Sequence, residues 1–96
     1  MASPIVLLSG CVGFGEEYTR VDGFSNRDVG GVVLKGTTGE ARLGNPPHRV
    51  YETPMGMLNA IGLQNPGVQT VVDEILPGLD FSETRFFANV SGSTLE

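Results

Sequence analysis

The sequence has 96 residues, 40% of them hydrophobic, and a formal net charge of −5. That length holds at most one domain, and with this apolar content disorder is not the default reading. The acidic balance argues against a phosphate-neutralising nucleic-acid surface, the single cysteine (Cys11) and single histidine (His48) exclude a disulfide framework or a Cys/His zinc cluster, and no apolar run approaches a membrane span.

The first apolar run, Ile5-Val6-Leu7-Leu8, reads as a buried strand ending in Ser9-Gly10. Leu8-Ser9-Gly10-Cys11 has the form of a lipoprotein cleavage box. No Lys or Arg precedes it, however, and Ile5 to Leu8 is far too short for a signal-peptide core. The glycines of Gly10-Cys11-Val12-Gly13-Phe14-Gly15 run G-x-x-G-x-G, the wrong order for a dinucleotide fingerprint, and no lysine follows to make a P-loop. The stretch reads as a tight strand-to-helix turn, with close backbone approach to a ligand as the alternative. A crossover helix is expected between Glu16 and Asp28, weakened by Gly23.

A second run, Val32-Val33-Leu34, ends in Lys35-Gly36-Thr37-Thr38. Lys35 is the only lysine in the chain and closes an otherwise apolar strand. A buried charge needs a partner, so Lys35 either snorkels to solvent or pairs with an anion at the strand end. From Gly39 to Asn65 the chain carries Pro46, Pro47 and Pro54 among several glycines, which rules out one long helix and predicts an inserted loop. Within it, Asn59-Ala60-Ile61-Gly62-Leu63-Gln64-Asn65 offers carboxamides that can match the alternating N–H and C=O groups of a pyrimidine dione. Gly62 would let backbone N–H groups approach a carboxylate. An asparagine-rich turn capping the next helix explains the same residues. That helix is expected to start with Asn65 as cap and Pro66 in the first turn, to bury Val68, Val71, Val72 and Ile75, and to stop at Pro77-Gly78. Cys11 and His48 have no sequence neighbours that would activate them.

The third run, Phe86-Phe87-Ala88, leads into Asn89-Val90-Ser91-Gly92. None of the three runs alternates apolar with polar, so each is expected to be a parallel strand buried on both faces. Ser9 to Lys35 is close to one βα unit of an eight-unit barrel of roughly 250 residues, and Lys35 to Asn89 is about twice as long because of the insertion. Ser9, Lys35 and Asn89 should therefore reach one rim, the end of the sheet where such folds bind ligands.

Taken together, Ser9-Gly10-Cys11-Val12-Gly13-Phe14-Gly15, Lys35-Gly36-Thr37-Thr38, Arg42-Leu43-Gly44-Asn45-Pro46, Glu52-Thr53, Gly56 to Pro66 and Ala88-Asn89-Val90-Ser91-Gly92-Ser93 resemble, in order and spacing, the dihydroorotate dehydrogenases of class 1B, the NAD-linked form. The resemblance runs from Pro4 to Ser93. It implies an α/β fold: the N-terminal portion of a (β/α)8 TIM barrel, about three parallel strands with an inserted rim loop, so that residues 1–96 form a single partial domain. The implied function is FMN-dependent oxidation of dihydroorotate to orotate in pyrimidine biosynthesis by a cytoplasmic homo-oligomer. Electrons would pass to NAD through a partner subunit with FAD and an iron–sulfur cluster.

By motif, Ser9, Lys35, Gly36 and Asn89 would contact FMN. Lys35, Asn59, Ala60, Ile61, Gly62 and Leu63 would contact the substrate. No metal ligand is implied. The family's catalytic base is a cysteine of the following βα unit, which Cys11 does not match, so the chain by itself reads as a non-catalytic portion of a barrel. A relative acting on another dihydropyrimidine is the remaining alternative.

Overall fold

The computed structural model describes residues 3–95. Three short strands, β1 (Val6–Leu7), β2 (Gly31–Val33) and β5 (Arg85–Phe87), form a parallel sheet in the order β1-β2-β5. Val32 pairs with Leu7 on one side and Phe86 on the other, so these three side chains share a face. That face is the packed one. Val32 is fully buried, and Val12, Phe14, Val29, Leu34, Val71 and Leu79 close over it with Leu7 and Phe86 packed alongside. Phe81 meets Phe86 edge to face at 5.4 Å.

The expectation of strands buried on both faces holds only for central β2. Ile5, Leu8 and Phe87 are exposed, Phe87 by 45%. They belong to the outer strands or their ends, and the face opposite the core is covered only in part: Gly31 is buried and Val33 half-buried, while Phe87 is open to solvent. Gly31 is a close-approach position, since a Cβ there would stand 2.9 Å from the Phe87 ring.

The connection from β1 to β2 departs from the expected helix over Glu16 to Asp28. Two single 3₁₀ turns, Tyr18–Arg20 and Asn26–Asp28, take its place. Gly23, at φ +86°, turns the chain between them. The second turn is nucleated locally. The Ser25 hydroxyl accepts from Arg27 N at 3.2 Å, and Asp28 accepts the Ser25 N–H at 2.9 Å.

The connection from β2 to β5 carries the insertion and the predicted helix. The insertion is not all loop: it contains an antiparallel hairpin, β3 (Val50–Thr53) with β4 (Gly56–Asn59). Pro54 begins its two-residue turn with φ fixed near −65°, and Gly56 follows at the fourth position, where type I turns favour glycine. At the base of the insertion Arg42 and Asn65 exchange backbone hydrogen bonds of 2.9 and 3.0 Å.

The helix runs over residues 68–78, but only α1 (Val68–Thr70) is α-helical. Val71–Ile75 widens to a π turn and Leu76–Gly78 tightens to 3₁₀. Pro77 has no N–H to offer the carbonyl of Asp73, which breaks the regular ladder. The expected apolar stripe is shifted in consequence. Val71 is buried and Ile75 and Leu76 pack on the core, whereas Val68 and Val72 are exposed. The cap differs too: Gly67 at φ +88° precedes the helix, and Asn65 closes the turn before it, accepting the Gly67 N–H at 2.9 Å. No helix among the described residues is long and apolar enough to cross a membrane.

Candidate functional site

Parallel pairing brings the C-terminal ends of all three strands to one rim. The ladder continues past the strands: Leu34 N donates to Phe87 O, and Thr37 exchanges backbone bonds with Asn89 and Ser91, each at 2.9 Å. These bonds fix Asn89 beside the central strand, and its side-chain N–H donates to the Ser9 hydroxyl at 2.7 Å. Gly36 lies beneath this bond. A Cβ there would stand 3.5 Å from both Asn89 Nδ2 and Leu63 Cδ2, an ordinary contact.

Lys35 is held by its backbone, its N–H donating to Gly13 O at 2.9 Å and its carbonyl accepting from Thr37 Oγ1 at 3.0 Å. The side chain is half-buried and makes neither a salt bridge nor a hydrogen bond among the described residues. The glycine stretch that receives Lys35 is a tight turn, as its sequence suggested. Val12 and Phe14 anchor it in the core, while Gly10 and Cys11 face the same hollow as Lys35. The Glu17 carboxylate accepts the Phe14 N–H at 3.1 Å and lies against Gly13, at φ +59°, where a Cβ would strike it.

The hairpin delivers the Asn59–Leu63 segment over this rim. Two consecutive left-handed residues, Gly62 (φ +82°) and Leu63 (φ +58°), fold it back toward Asn65. Three residues behind the segment hold it. Asn45 donates from its backbone to Ile61 O and from its side chain to Ala60 O, both at 2.8 Å. Gly44 leaves room for the Ile61 carbonyl, which a Cβ would strike. Arg49 donates to Leu43 O and Asn45 O at 3.1 and 3.2 Å and to Gln64 Oε1 at 2.6 Å, and its carbonyl accepts Ala60 N. Asn65 spends all its side-chain capacity on scaffolding, bonding Thr38, Leu63 O and Gly67 N.

Between the rim and the loop lies a cleft of about 840 Å³. Ser9, Lys35, Gly36, Asn59, Ala60, Ile61, Gly62, Leu63 and Asn89 all line it, so the structure brings together every site residue singled out from sequence. A smaller hollow of about 400 Å³ shares Lys35 and is lined by Phe14, Arg42 and Asn65. His48 lies elsewhere, beside Tyr51 and Leu58 of the hairpin. Asn45, within the Arg42-to-Pro46 motif, and Arg49 are the supporting residues that the sequence pattern alone does not single out. The available signal was an asparagine next to Gly44 in a proline-rich insertion, a residue type that bonds nearby backbone where glycine permits close approach.

A family model described as dihydroorotate dehydrogenase matches residues 1–96. The chain belongs to the dihydroorotate dehydrogenase family. Across its whole length it is 53% identical to a protein of Anoxybacillus flavithermus, 52% to one of Geobacillus sp. and, over 97 aligned residues, 48% to one of Enterococcus faecalis. Each bears the name dihydroorotate dehydrogenase B (NAD(+)), catalytic subunit. The chain spans 30% of the length of these relatives. The fold these residues build is mixed α/β around a three-stranded parallel sheet.

Proposed function

We propose that the protein acts within an FMN-dependent dihydroorotate dehydrogenase of the NAD-linked class, oxidising dihydroorotate to orotate in pyrimidine synthesis. In this reading residues 1–96 form a single partial domain, the opening part of a (β/α)8 barrel whose ligand rim is the end bearing Ser9, Lys35 and Asn89. The supporting observation is convergence: the polar residues ending three parallel strands and the Asn59–Leu63 loop line one cleft, although they lie far apart in sequence.

The residues fit a flavin. Ser9 and Asn89 offer a hydroxyl and a carboxamide for its polar ring edge, and Gly36 presents backbone without a side chain. When bound, FMN supplies the hydride acceptor. Lys35 brings a positive charge without a carboxylate partner among the described residues, suited to a substrate carboxylate and to negative charge developing on the adjacent ring. Asn59 is suited to the carboxamide-like edge of the pyrimidine. Ala60 to Leu63 contribute backbone donors and an apolar wall. Electrons would leave through a partner subunit carrying FAD and an iron–sulfur cluster, in a cytoplasmic homo-oligomeric assembly.

The test is anaerobic mixing of dihydroorotate with the FMN-loaded enzyme. Bleaching of the visible flavin absorbance is expected, with orotate as the product. A spectrum unchanged by dihydroorotate would overturn the reading.

A further inference from the structure

We infer that Asn45 is a positioning residue for the carboxylate of the substrate, acting through the peptide planes of the loop in front of it. The inference rests on the dihydroorotate reading above. Asn45 stands behind the Asn59–Leu63 segment and does not line the cleft. It takes two successive carbonyls, Ala60 O with its side chain and Ile61 O with its backbone, both at 2.8 Å. In a trans peptide the N–H points opposite to the C=O. Drawing those two carbonyls backward therefore turns the Ile61 and Gly62 N–H groups forward, to the side of the cleft. Neither N–H has an acceptor among the described residues. Lys35 lines the same cleft with no anionic partner among the described residues.

Two adjacent N–H donors and an ammonium facing one hollow are complementary to a carboxylate and not to a neutral ring edge. The approach of Asn45 is close as well. A Cβ on Gly62 would stand 2.8 Å from Asn45 N, Cγ and Oδ1, so residue 62 must be glycine for the loop to sit against Asn45. With the side-chain bond removed, the Ala60–Ile61 plane is free to rotate, and the Ile61 N–H loses its fixed direction.

The experiment compares Asn45→Ala and the isosteric Asn45→Asp with the unmodified FMN-loaded holoenzyme. It measures affinity for orotate, which carries the carboxylate, and for uracil, which lacks it. Orotate binding is expected to weaken roughly 5- to 30-fold, the loss of one or more loop hydrogen bonds. Uracil binding and flavin content should stay within about twofold. The KM for dihydroorotate should rise with little change in kcat, because the loop binds the ground state and the transition state alike. Equal weakening of orotate and uracil, or loss of flavin in both variants, would overturn the inference by showing that Asn45 only supports the fold. Unchanged orotate affinity in both would overturn it directly. If the unmodified holoenzyme fails to bind orotate, the reading on which the inference rests falls, and the inference with it.

Discussion

Asn89 donates to the hydroxyl of Ser9 across the full width of the parallel sheet, joining the ends of its two outer strands at 2.7 Å over the bare backbone of Gly36. The bond ties β5 to β1 above β2, so the two polar groups proposed to meet the flavin hold each other in place before any ligand arrives. Asn89→Ala should leave the Ser9 hydroxyl unpaired and weaken FMN binding roughly tenfold in the holoenzyme. Fluorimetric titration with FMN measures this, and an unchanged dissociation constant would remove Asn89 from the site.

Lys35 differs from these two in having no side-chain partner among the described residues. Lys35→Ala in the FMN-loaded enzyme is expected to lower kcat by about 100-fold or more, the scale of losing a preorganised charge aimed at developing negative charge. Flavin content should be checked first. Near-normal turnover in a fully loaded variant would contradict the role given to Lys35.

Two glycines of the cleft should respond oppositely to alanine. At Gly36 the added methyl meets only ordinary contacts of 3.5 Å, so Gly36→Ala should change stability by less than about 0.5 kcal/mol. At Gly62 the methyl meets Asn45 at 2.8 Å in a left-handed backbone, so Gly62→Ala should cost roughly 1–3 kcal/mol of loop or global stability. Denaturant unfolding together with hydrogen exchange at residues 60–65 would separate the local cost from the global one.

The acid side of stability has a named contributor. Asp80 accepts both the hydroxyl and the backbone N–H of Ser82, at 2.6 and 2.9 Å, with Arg27 nearby at 3.9 Å. These donors hold its carboxyl below the ordinary 3.8, the Ser82 hydroxyl first. A carboxylate lowered in the folded state adds stability above its unfolded pKa, and that stability is lost as pH falls through the folded pKa. Asp80→Asn should therefore flatten the stability profile below about pH 4 and leave its shape near neutrality unchanged, as read from melting temperature against pH.

The 96-residue chain produced alone should self-associate. The outer edges of β1 and β5 have no strand beside them among the described residues, and Ile5, Leu8, Phe87 and Val90 are exposed around them. Light scattering showing a monodisperse monomer would refute this.

The site was more legible in the sequence than the elements carrying it. Continuous apolar runs marked β1, β2 and β5, although only central β2 is buried between neighbours and the outer two runs keep apolar residues exposed. The residues ending those runs then gave Ser9, Lys35 and Asn89 directly. The connections were harder to read. Ser25, Asp28 and Gly23 favour local bonds over a continuous helix between β1 and β2. The π turn at Val71–Ile75 shifted a face that regular 3.6-residue spacing had assigned to Val68 and Val72. The β3–β4 hairpin was hidden because Tyr51, Met57 and Leu58 are exposed on it, so its strands lack the alternation of a half-buried sheet. The task of Asn45 depends on a contact with Ala60 and Ile61 that spacing alone does not reveal.

The paired backbone bonds between Arg42 and Asn65 shut the insertion off at its neck. What lies beyond the neck answers mainly to itself: Asn45 and Arg49 grip the Ala60–Gln64 stretch from within the same segment. The insertion and the sheet are therefore separable units of the chain. Residues 43–64 can change in length and shape as a cassette while β1, β2 and β5 stay as they are, since altering a loop already closed at its base costs little.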